Sequence, residues 1–273
     1  MALAATALGP VQPAAAAAAL PVLSVHSGGA GGFTVSGATS RRAGRVVLNF
    51  TNSNAHGSDV QLLKLLHGTT MAKVIRDVQA QEGMGAAAST RALTRETHLF
   101  GGAGLQAPGQ SAQVAETLYS GTYYLLDIAA VFAHKAPTVK ALHVYGSPAP
   151  RAFPSTAGLI SLTSADRFVS PRHLPAGNLL IRNVADTLHF VIFAPVRTGT
   201  TDSDITNVFN GTSHDAPFTG PGVSMEVLSP GTQAVFRSSS LKKGTYDLEC
   251  FIADDVTGMP HAFMGMHRIV TIG

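Results

Sequence analysis

The sequence predicts an all-β protein made of two tandem Greek-key β-sandwich domains, each with one short helix. Charged residues make up only 13% of the 273 residues, hydrophobic residues make up 45%, and there are 28 glycines and 15 prolines. This composition favours short strands separated by turns over a helical bundle. The second half of the chain also repeats the pattern of the first, which indicates two copies of one domain.

The repeat is clearest around a shared asparagine. Asn52 aligns with Asn183, and at the same offset the G-T-T segment at 68–70 aligns with the one at 199–201. A period this long indicates duplicated domains rather than a solenoid. The predicted division of the chain is a domain at 22–146, a proline-rich linker at 147–154 and a second domain at 155–273.

The elements of the first half follow from its local patterns. Runs typical of strands, each bounded by turn residues, fall at 46–50, 60–66, 113–118 and 122–128. Between the second and third of these runs, an apolar stripe with helical spacing is formed by Met71, Val74, Ile75 and Val78. Residues at i, i+3, i+4 and i+7 share one face of a helix, so this segment is the predicted helix of the first domain.

The second half predicts the same order of elements. Its strand-like runs fall at 179–183, 190–195, 233–237, 245–252 and 268–272. A shorter helix is predicted between the second and third runs, capped by Asp202 or Ser203. Its inward-facing side chains are Ile205, Val208 and Phe209.

The last forty residues carry a pattern of soft metal ligands. Cys250 is the only cysteine in the chain and ends the segment G-T-Y-D-L-E-C. Residues 251–260 form a loop, after which the segment P-H-A-F-M-G-M places His261 and Met266 close behind. A thiolate, an imidazole and a thioether are ligands that suit copper.

This pattern resembles the C-terminal strand and ligand loop of the cupredoxins, the family that includes plastocyanin. In that family a second histidine follows an asparagine on an earlier strand, and here His189 follows Asn183. The resemblance implies one type 1-like copper held by His189, Cys250 and His261, with Met266 as a weak axial ligand. The loop between Cys250 and His261 is longer than in the familiar members.

The repeat supplies an internal comparison for these ligands. Each candidate ligand of the second half has a counterpart in the first: His189 pairs with Ser58, Cys250 with Asp127, His261 with His134 and Met266 with Val139. Only one of the four counterparts is a ligand of the same type. The first domain is therefore predicted to hold no copper.

Electron transfer or the holding of copper is the predicted function, and the chain is not predicted to be an enzyme. Enzymes of the family with two such domains carry histidines beside the ligand cysteine, whereas Glu249 and Phe251 flank Cys250 here. The partner would be a redox protein or a copper-exchange protein. The alternative is a metal-free binding or structural module of the same fold. The sequence does not predict an oligomeric state.

The remaining composition excludes two classes of partner. A net charge of +3, the absence of tryptophan and an aromatic content of 7% argue against nucleic acid as a binding partner. No later stretch reaches the roughly 18 apolar residues that cross a membrane. Residues 1–21 are rich in alanine and uncharged, which is typical of a secretory signal. We therefore expect a secreted or cell-envelope protein, although a disordered alanine- and proline-rich tail is the other interpretation of this segment.

Overall fold

The computed structural model describes residues 19–28, 32–149 and 151–273. Most of the predicted signal segment, residues 1–18, lies outside the described residues. In the first half the strands are β1 (Val22–Ser27), β2 (Phe33–Ser36), β3 (Ser40–Arg42), β4 (Gly44–Asn52), β5 (Ser58–Leu65), β6 (Thr97–Gln106), β7 (Ser111–Leu118), β8 (Gly121–Leu126) and β9 (Val139–Tyr145). The helices of this half are α1 (Met71–Gln79), α2 (Ala86–Glu96) and α3 (Ile128–Phe132).

The second half is simpler. Its strands are β10 (Gly158–Thr163), β11 (Arg167–Val169), β12 (His173–Leu174), β13 (Leu179–Asn183), β14 (His189–Pro195), β15 (Val223–Leu228), β16 (Gln233–Ser238), β17 (Gly244–Glu249) and β18 (His267–Ile272). It has one α-helix, α4 (Asp202–Phe209), and a short 3₁₀ turn at His261–Met264. Within the described residues, no helix combines the length and apolar character that crossing a membrane requires.

Two large sheets contain the strands of both halves. One has the order β11-β10-β13-β16-β7-β4-β1-β2, and the other has the order β12-β18-β17-β14-β15-β6-β5-β8-β9-β3. Read outward from its centre, each sheet presents equivalent strands on its two sides. In the first sheet β7, β4, β1 and β2 mirror β16, β13, β10 and β11. This matching order is what the internal repeat predicts, and the all-β prediction is confirmed.

The two halves meet strand to strand at the centre of both sheets. β7 pairs with β16 along Val114↔Phe236 and its neighbours, and β6 pairs with β15 through Phe100↔Leu228. The two sandwiches are therefore fused through shared sheets, where the sequence had indicated two separate ones. The proposed boundaries at 22–146, 147–154 and 155–273 stay a prediction.

Two glycines of β6 permit the close approach of the strands on its two sides, β15 of the second half and β5 of the first. A Cβ atom on Gly104 would lie 2.2 Å from Ser224 Oγ of β15 and 2.7 Å from its backbone. A Cβ atom on Gly102, where φ is +146°, would lie 2.0 Å from the Val60 carbonyl oxygen of β5. A side chain at either position would push a neighbouring strand away, so glycine is required for this close approach.

One apolar core lies between the sheets and a second lies beneath the helices. The first contains Phe50, Phe193 and Phe236, all with an exposed fraction of 0%. The rings of Phe193 and Phe236 stack with their centroids 5.9 Å apart. The second core places Val74 of α1 and Val131 of α3 on the outer face of the ten-stranded sheet. The helices of the first half thus form an additional layer over that sheet.

The prediction of one helix per domain is wrong for the first half. The predicted stripe is confirmed as α1, but α2 and α3 were not predicted. α2 has the sequence A-A-A-S-T-R-A-L-T-R-E, which consists mostly of good helix formers but lacks a clear apolar stripe. α3 begins where a strand was predicted to end, because the Asp127 side chain accepts a hydrogen bond from the Ala130 amide and caps the turn. In the second half, Thr201 rather than Asp202 or Ser203 caps α4.

The shared asparagine closes the same turn in both halves. The side-chain amide of Asn183 donates to the carbonyl oxygens of Thr187 at 2.7 Å and Leu228 at 2.9 Å, and its Oδ1 accepts from the Ala185 amide. Asn52 makes the equivalent three hydrogen bonds in the first half. Since its side chain is almost fully buried, Asn183 satisfies backbone groups that water does not reach.

We expect Asn183→Ala to lower the free energy of unfolding by about 2–3 kcal/mol, because it leaves buried carbonyl groups without a donor. Urea denaturation followed by circular dichroism measures the change. The matched control is Asn178→Ala, since Asn178 is only half-buried and donates one solvent-exposed hydrogen bond to the Ser155 carbonyl, and it should cost less than about 1 kcal/mol. Equal losses in the two variants would contradict the role given to Asn183.

Candidate metal centre

Three of the four predicted ligands converge on one buried point. Cys250 Sγ lies 3.7 Å from His189 Nδ1 and 3.8 Å from His261 Nδ1. All three side chains have an exposed fraction of 0%. Ligands bound at about 2.0–2.3 Å from a common ion are separated by roughly 3–4 Å. The thiol and the two imidazole nitrogens therefore have the spacing of ligands around one metal ion.

Neighbouring strands bring these residues together. His189 begins β14, and Cys250 follows the last residue of β17, which pairs with β14 through Ile192↔Glu249. His261 begins the 3₁₀ turn that precedes β18, and β18 pairs with the other side of β17. Met266 is fully buried in the same apolar cluster as Cys250, and its amide donates to the His261 carbonyl oxygen at 2.9 Å.

The long loop between Cys250 and His261 folds back on itself, so its length does not separate the two ligands. Ala253 and Pro260 form a β-bridge across its base. The amide of His261 donates to the Ile252 carbonyl oxygen at 3.0 Å. The extra residues lie beyond this base in a closed turn, where Asp254 Oδ1 accepts from the Thr257 amide at 2.6 Å. The loop therefore returns His261 to the site as predicted from the sequence.

Helix α2 of the first half supports this loop. Thr90 Oγ1 of α2 donates to the Ala253 carbonyl oxygen at 2.7 Å. The Arg91 guanidinium donates to the Asp255 carbonyl oxygen. The backbone of Gly258 lies against the start of α2, since a Cβ atom there would be 3.4 Å from the Ala87 nitrogen. A helix from the half without ligands thus holds the ligand loop of the other half.

Asp166 covers the outer edges of both imidazoles. Its Oδ1 lies 3.8 Å from His189 Nε2 and 3.7 Å from His261 Nε2, and both nitrogens are buried without a hydrogen-bond partner. Asp166 occupies the turn between β10 and β11 with φ at +50°, a conformation that aspartate tolerates better than most residues. The sequence pattern gave no signal for Asp166, because only the fold brings this turn to the site.

Burial keeps the ligand groups neutral in the absence of a cation. Desolvation raises the pKa of the Cys250 thiol to about 12, against the backbone amides of Phe190 and Ile252, which lower it. Desolvation lowers the pKa of His189 to about 3, and the neighbouring His261 lowers it further. Neutral imidazoles are ready to coordinate, and a soft cation would displace the thiol proton. The group of His189, Cys250 and His261 fits a type 1-like copper site.

In the described part of the first half, no equivalent cluster occurs. Ser58 Oγ is hydrogen bonded to Ser27 Oγ, Asp127 caps α3, and His134 lies exposed after the end of α3. Among the described residues, groups of three histidine, cysteine or acidic side chains with metal-site spacing occur only in the second half. That the first half holds no copper stays a prediction.

No protein-family model matches the sequence, and the search of curated proteins returned no match. Solved structures similar to this chain include auracyanin A, described as a blue copper protein, from Chloroflexus aurantiacus. It is 18% identical, the match covers 46% of this chain and 100% of that chain, and the TM-score is 0.35. A blue copper oxidase from Nitrosomonas europaea is 11% identical. The match covers 92% of this chain and 84% of that chain, with a TM-score of 0.25.

A multicopper oxidase is 13% identical, with 92% of this chain and 88% of that chain covered and a TM-score of 0.24. TM-scores below 0.5 do not by themselves establish a shared function, so the geometry of this chain carries the conclusions that follow.

We expect Asp254→Ala to loosen the ligand loop and to lower the free energy of unfolding by about 1–2 kcal/mol. Although desolvation raises the pKa of Asp254, hydrogen bonds from Thr257 outweigh it and lower the pKa, so the carboxylate is ionised at neutral pH. Asp255→Ala, one residue along, keeps the backbone contact to Arg91 and should be nearly neutral. Thermal unfolding compares the two variants, and a larger loss for Asp255→Ala would contradict this account of the loop.

Proposed function

We propose that the second half of the chain binds one copper ion through His189, Cys250 and His261, with Met266 as a weak axial ligand, and carries electrons or holds copper. The observation behind this proposal is the convergence of Cys250 Sγ with the two Nδ1 atoms at 3.7 and 3.8 Å in a fully buried position. Two imidazoles, one thiolate and a long axial thioether are the ligand set of blue-copper electron-transfer sites.

The protein groups around the site favour a rigid ligand set. When bound, copper would supply a one-electron carrier, alternating between two oxidation states. The backbone hydrogen bonds at the base of the ligand loop fix the position of His261 relative to Cys250. Asp166 Oδ1 lies 3.7–3.8 Å from both Nε2 atoms, which is too long for a hydrogen bond but close enough for its charge to act on both imidazoles.

The surroundings of the site favour a carrier over an enzyme. All three converging side chains are shielded from water, so a substrate has no approach to the ion. Glu249 and Phe251 flank Cys250, which leaves no histidine there to relay electrons to a second copper centre. An electron carrier needs neither a substrate pocket at the metal nor a second centre.

The proposal includes a partner protein, which exchanges electrons or copper with this chain. Phe251, Met259, Phe263 and Met264 expose between 36% and 49% of their area beside the ligand loop. The rings of Phe251 and Phe263 lie with their centroids 5.8 Å apart, and exposed apolar side chains grouped in this way are typical of protein contact sites. The uncharged alanine-rich segment at 1–21 supports a further proposal, that the protein acts after export, in the cell envelope or outside the cell.

Copper loading tests the proposal. Titration of the purified protein with Cu(II) should produce a strong visible absorption band from thiolate-to-copper charge transfer, at one copper per chain. Cys250→Ser should abolish the band, because it removes the thiolate that provides the transition. His134→Ala, at the first-half position that pairs with His261, should leave the band unchanged.

A folded protein that binds no copper would overturn the proposal and favour the metal-free binding module. Binding without the charge-transfer band would place the copper at another site. Isothermal titration calorimetry with Cu(II) on the wild type and Cys250→Ser separates these two results.

A further inference from the structure

A cavity of about 560 Å³ lies on the outer face of the ten-stranded sheet, where the two halves meet. Its floor is formed by β5 of the first half and by β14 and β15 of the second. Helices α1 and α3 form one wall, and the residues beside Cys250 and His261 form the opposite one. Cavities of roughly 300–1,000 Å³ are the size of small-molecule sites.

Most of the cavity wall is apolar. Val74, Leu126 and Leu188 contribute aliphatic side chains, and Phe132 and Phe190 contribute aromatic ones. These residues come from both halves of the chain, so neither half forms the cavity alone. A ligand body without charge would bury its surface against these side chains.

Two buried carboxyl groups face this apolar space. Side chains alternate across a strand, and because Val60 and Met225 enter the core between the sheets, Asp59 and Glu226 lie on the opposite face. The two acids have exposed fractions of only 6% and 8%. Buried carboxyl groups in an apolar wall are costly unless they are paired with a partner.

The other buried polar groups of the floor already have partners. Gln61 donates to the Gly101 carbonyl oxygen at 2.8 Å and accepts from the Val227 amide at 3.0 Å. Ser224 Oγ accepts from the Leu105 amide at 2.9 Å.

The carboxyl groups retain free acceptor capacity. Asp59 Oδ1 accepts from the Ala129 amide at 2.8 Å. Within the described part of the chain, Glu226 forms no side-chain to side-chain hydrogen bond, and the backbone amide of Val227 is the one group that lowers its pKa. The two carboxyl groups are therefore the buried polar groups of the floor that are available to a ligand.

The charges around the cavity are of one sign. Among the described residues that line it, Asp59, Glu82 and Glu226 are acidic and none is lysine, arginine or histidine. Burial raises the pKa of Asp59 to about 7 and the pKa of Glu226 well above its usual value, and the charge of Asp59 raises the latter further. A cation placed between these groups would favour their ionised forms and be held by them.

We propose that this cavity binds a small organic cation, a primary amine carried on an aromatic or aliphatic body. The ammonium group pairs with Glu226 and Asp59, and the body packs against the apolar walls. A neutral molecule of the same shape would gain the apolar contacts without the charge-assisted hydrogen bonds. The site requires no metal, so it stands independently of the proposed copper centre.

Tryptamine is a suitable probe, because the chain contains no tryptophan and the indole fluorescence of the ligand is free of that background. Its matched control is tryptophol, which carries a hydroxyl group in place of the amine. The wild-type protein should bind tryptamine at least about tenfold more tightly than tryptophol, since a charge-assisted bond in a buried site contributes at least this much. Fluorescence titration of the metal-free full chain measures both affinities.

Two variants test whether the carboxyl groups cause the preference for tryptamine over tryptophol. Glu226→Gln and Asp59→Asn keep the side-chain shape and should each weaken tryptamine binding by about tenfold while leaving tryptophol binding unchanged. Glu116→Gln is the matched control, because Glu116 is equally buried but lies outside this cavity, and it should change neither affinity. Circular dichroism spectra establish that each variant is folded.

Equal binding of tryptamine and tryptophol by the wild type would overturn the proposal, since the cavity would then recognise only apolar shape. Failure of the wild type to bind tryptamine would overturn it as well. The Cys250→Ser variant should bind tryptamine like the wild type, so a failed copper titration and a failed amine titration remain separate results.

Discussion

The pairing of β6 with β15 is the constraint on which both sites of the molecule depend. This ladder fixes the first half against the second, and only then does α2 reach the loop that returns His261 to Cys250. The same ladder closes the floor of the acidic cavity between β5 and β14. Gly104 matters for this reason: a side chain there would collide with Ser224 across the junction and alter both sites together.

Duplication of one domain has been followed by different changes in the two copies. Both halves keep the buried asparagine, and both keep a tyrosine, Tyr123 or Tyr246, whose hydroxyl donates to a carbonyl four residues earlier. The second half keeps the cluster of His189 and its partners. The first half carries serine and aspartate at two of the corresponding positions, and it has the helical layer that supports the other half.

The sequence predicted the features that depend on local pattern. The apolar stripe of α1 and the strands that contain Asn183 and precede Cys250 could be recognised from spacing and residue type. The cluster of His189, Cys250 and His261 was expected from the resemblance to the cupredoxins. The position of Asp166, the contact of Thr90 with the ligand loop and the presence of Asp59 and Glu226 in one cavity could not be recognised. Each of these depends on strands and turns distant in the chain, and neither periodicity nor composition records which strands become neighbours.

The shared sheets also affect how freely the second half can be separated from the first. If residues 155–273 were expressed alone, β15 would lose its neighbour β6 and β16 would lose its neighbour β7. Both strands would then present unpaired amide and carbonyl groups to solvent. The ligand loop would lose its contact with α2, and Phe190 and Val227 would lose the helices that cover them. The metal-binding motif is confined to one half, but the folding unit that sustains it is the whole chain. Recombination that exchanges one half alone would therefore expose a strand edge in both sheets, and such edges are sites for pairing with other chains.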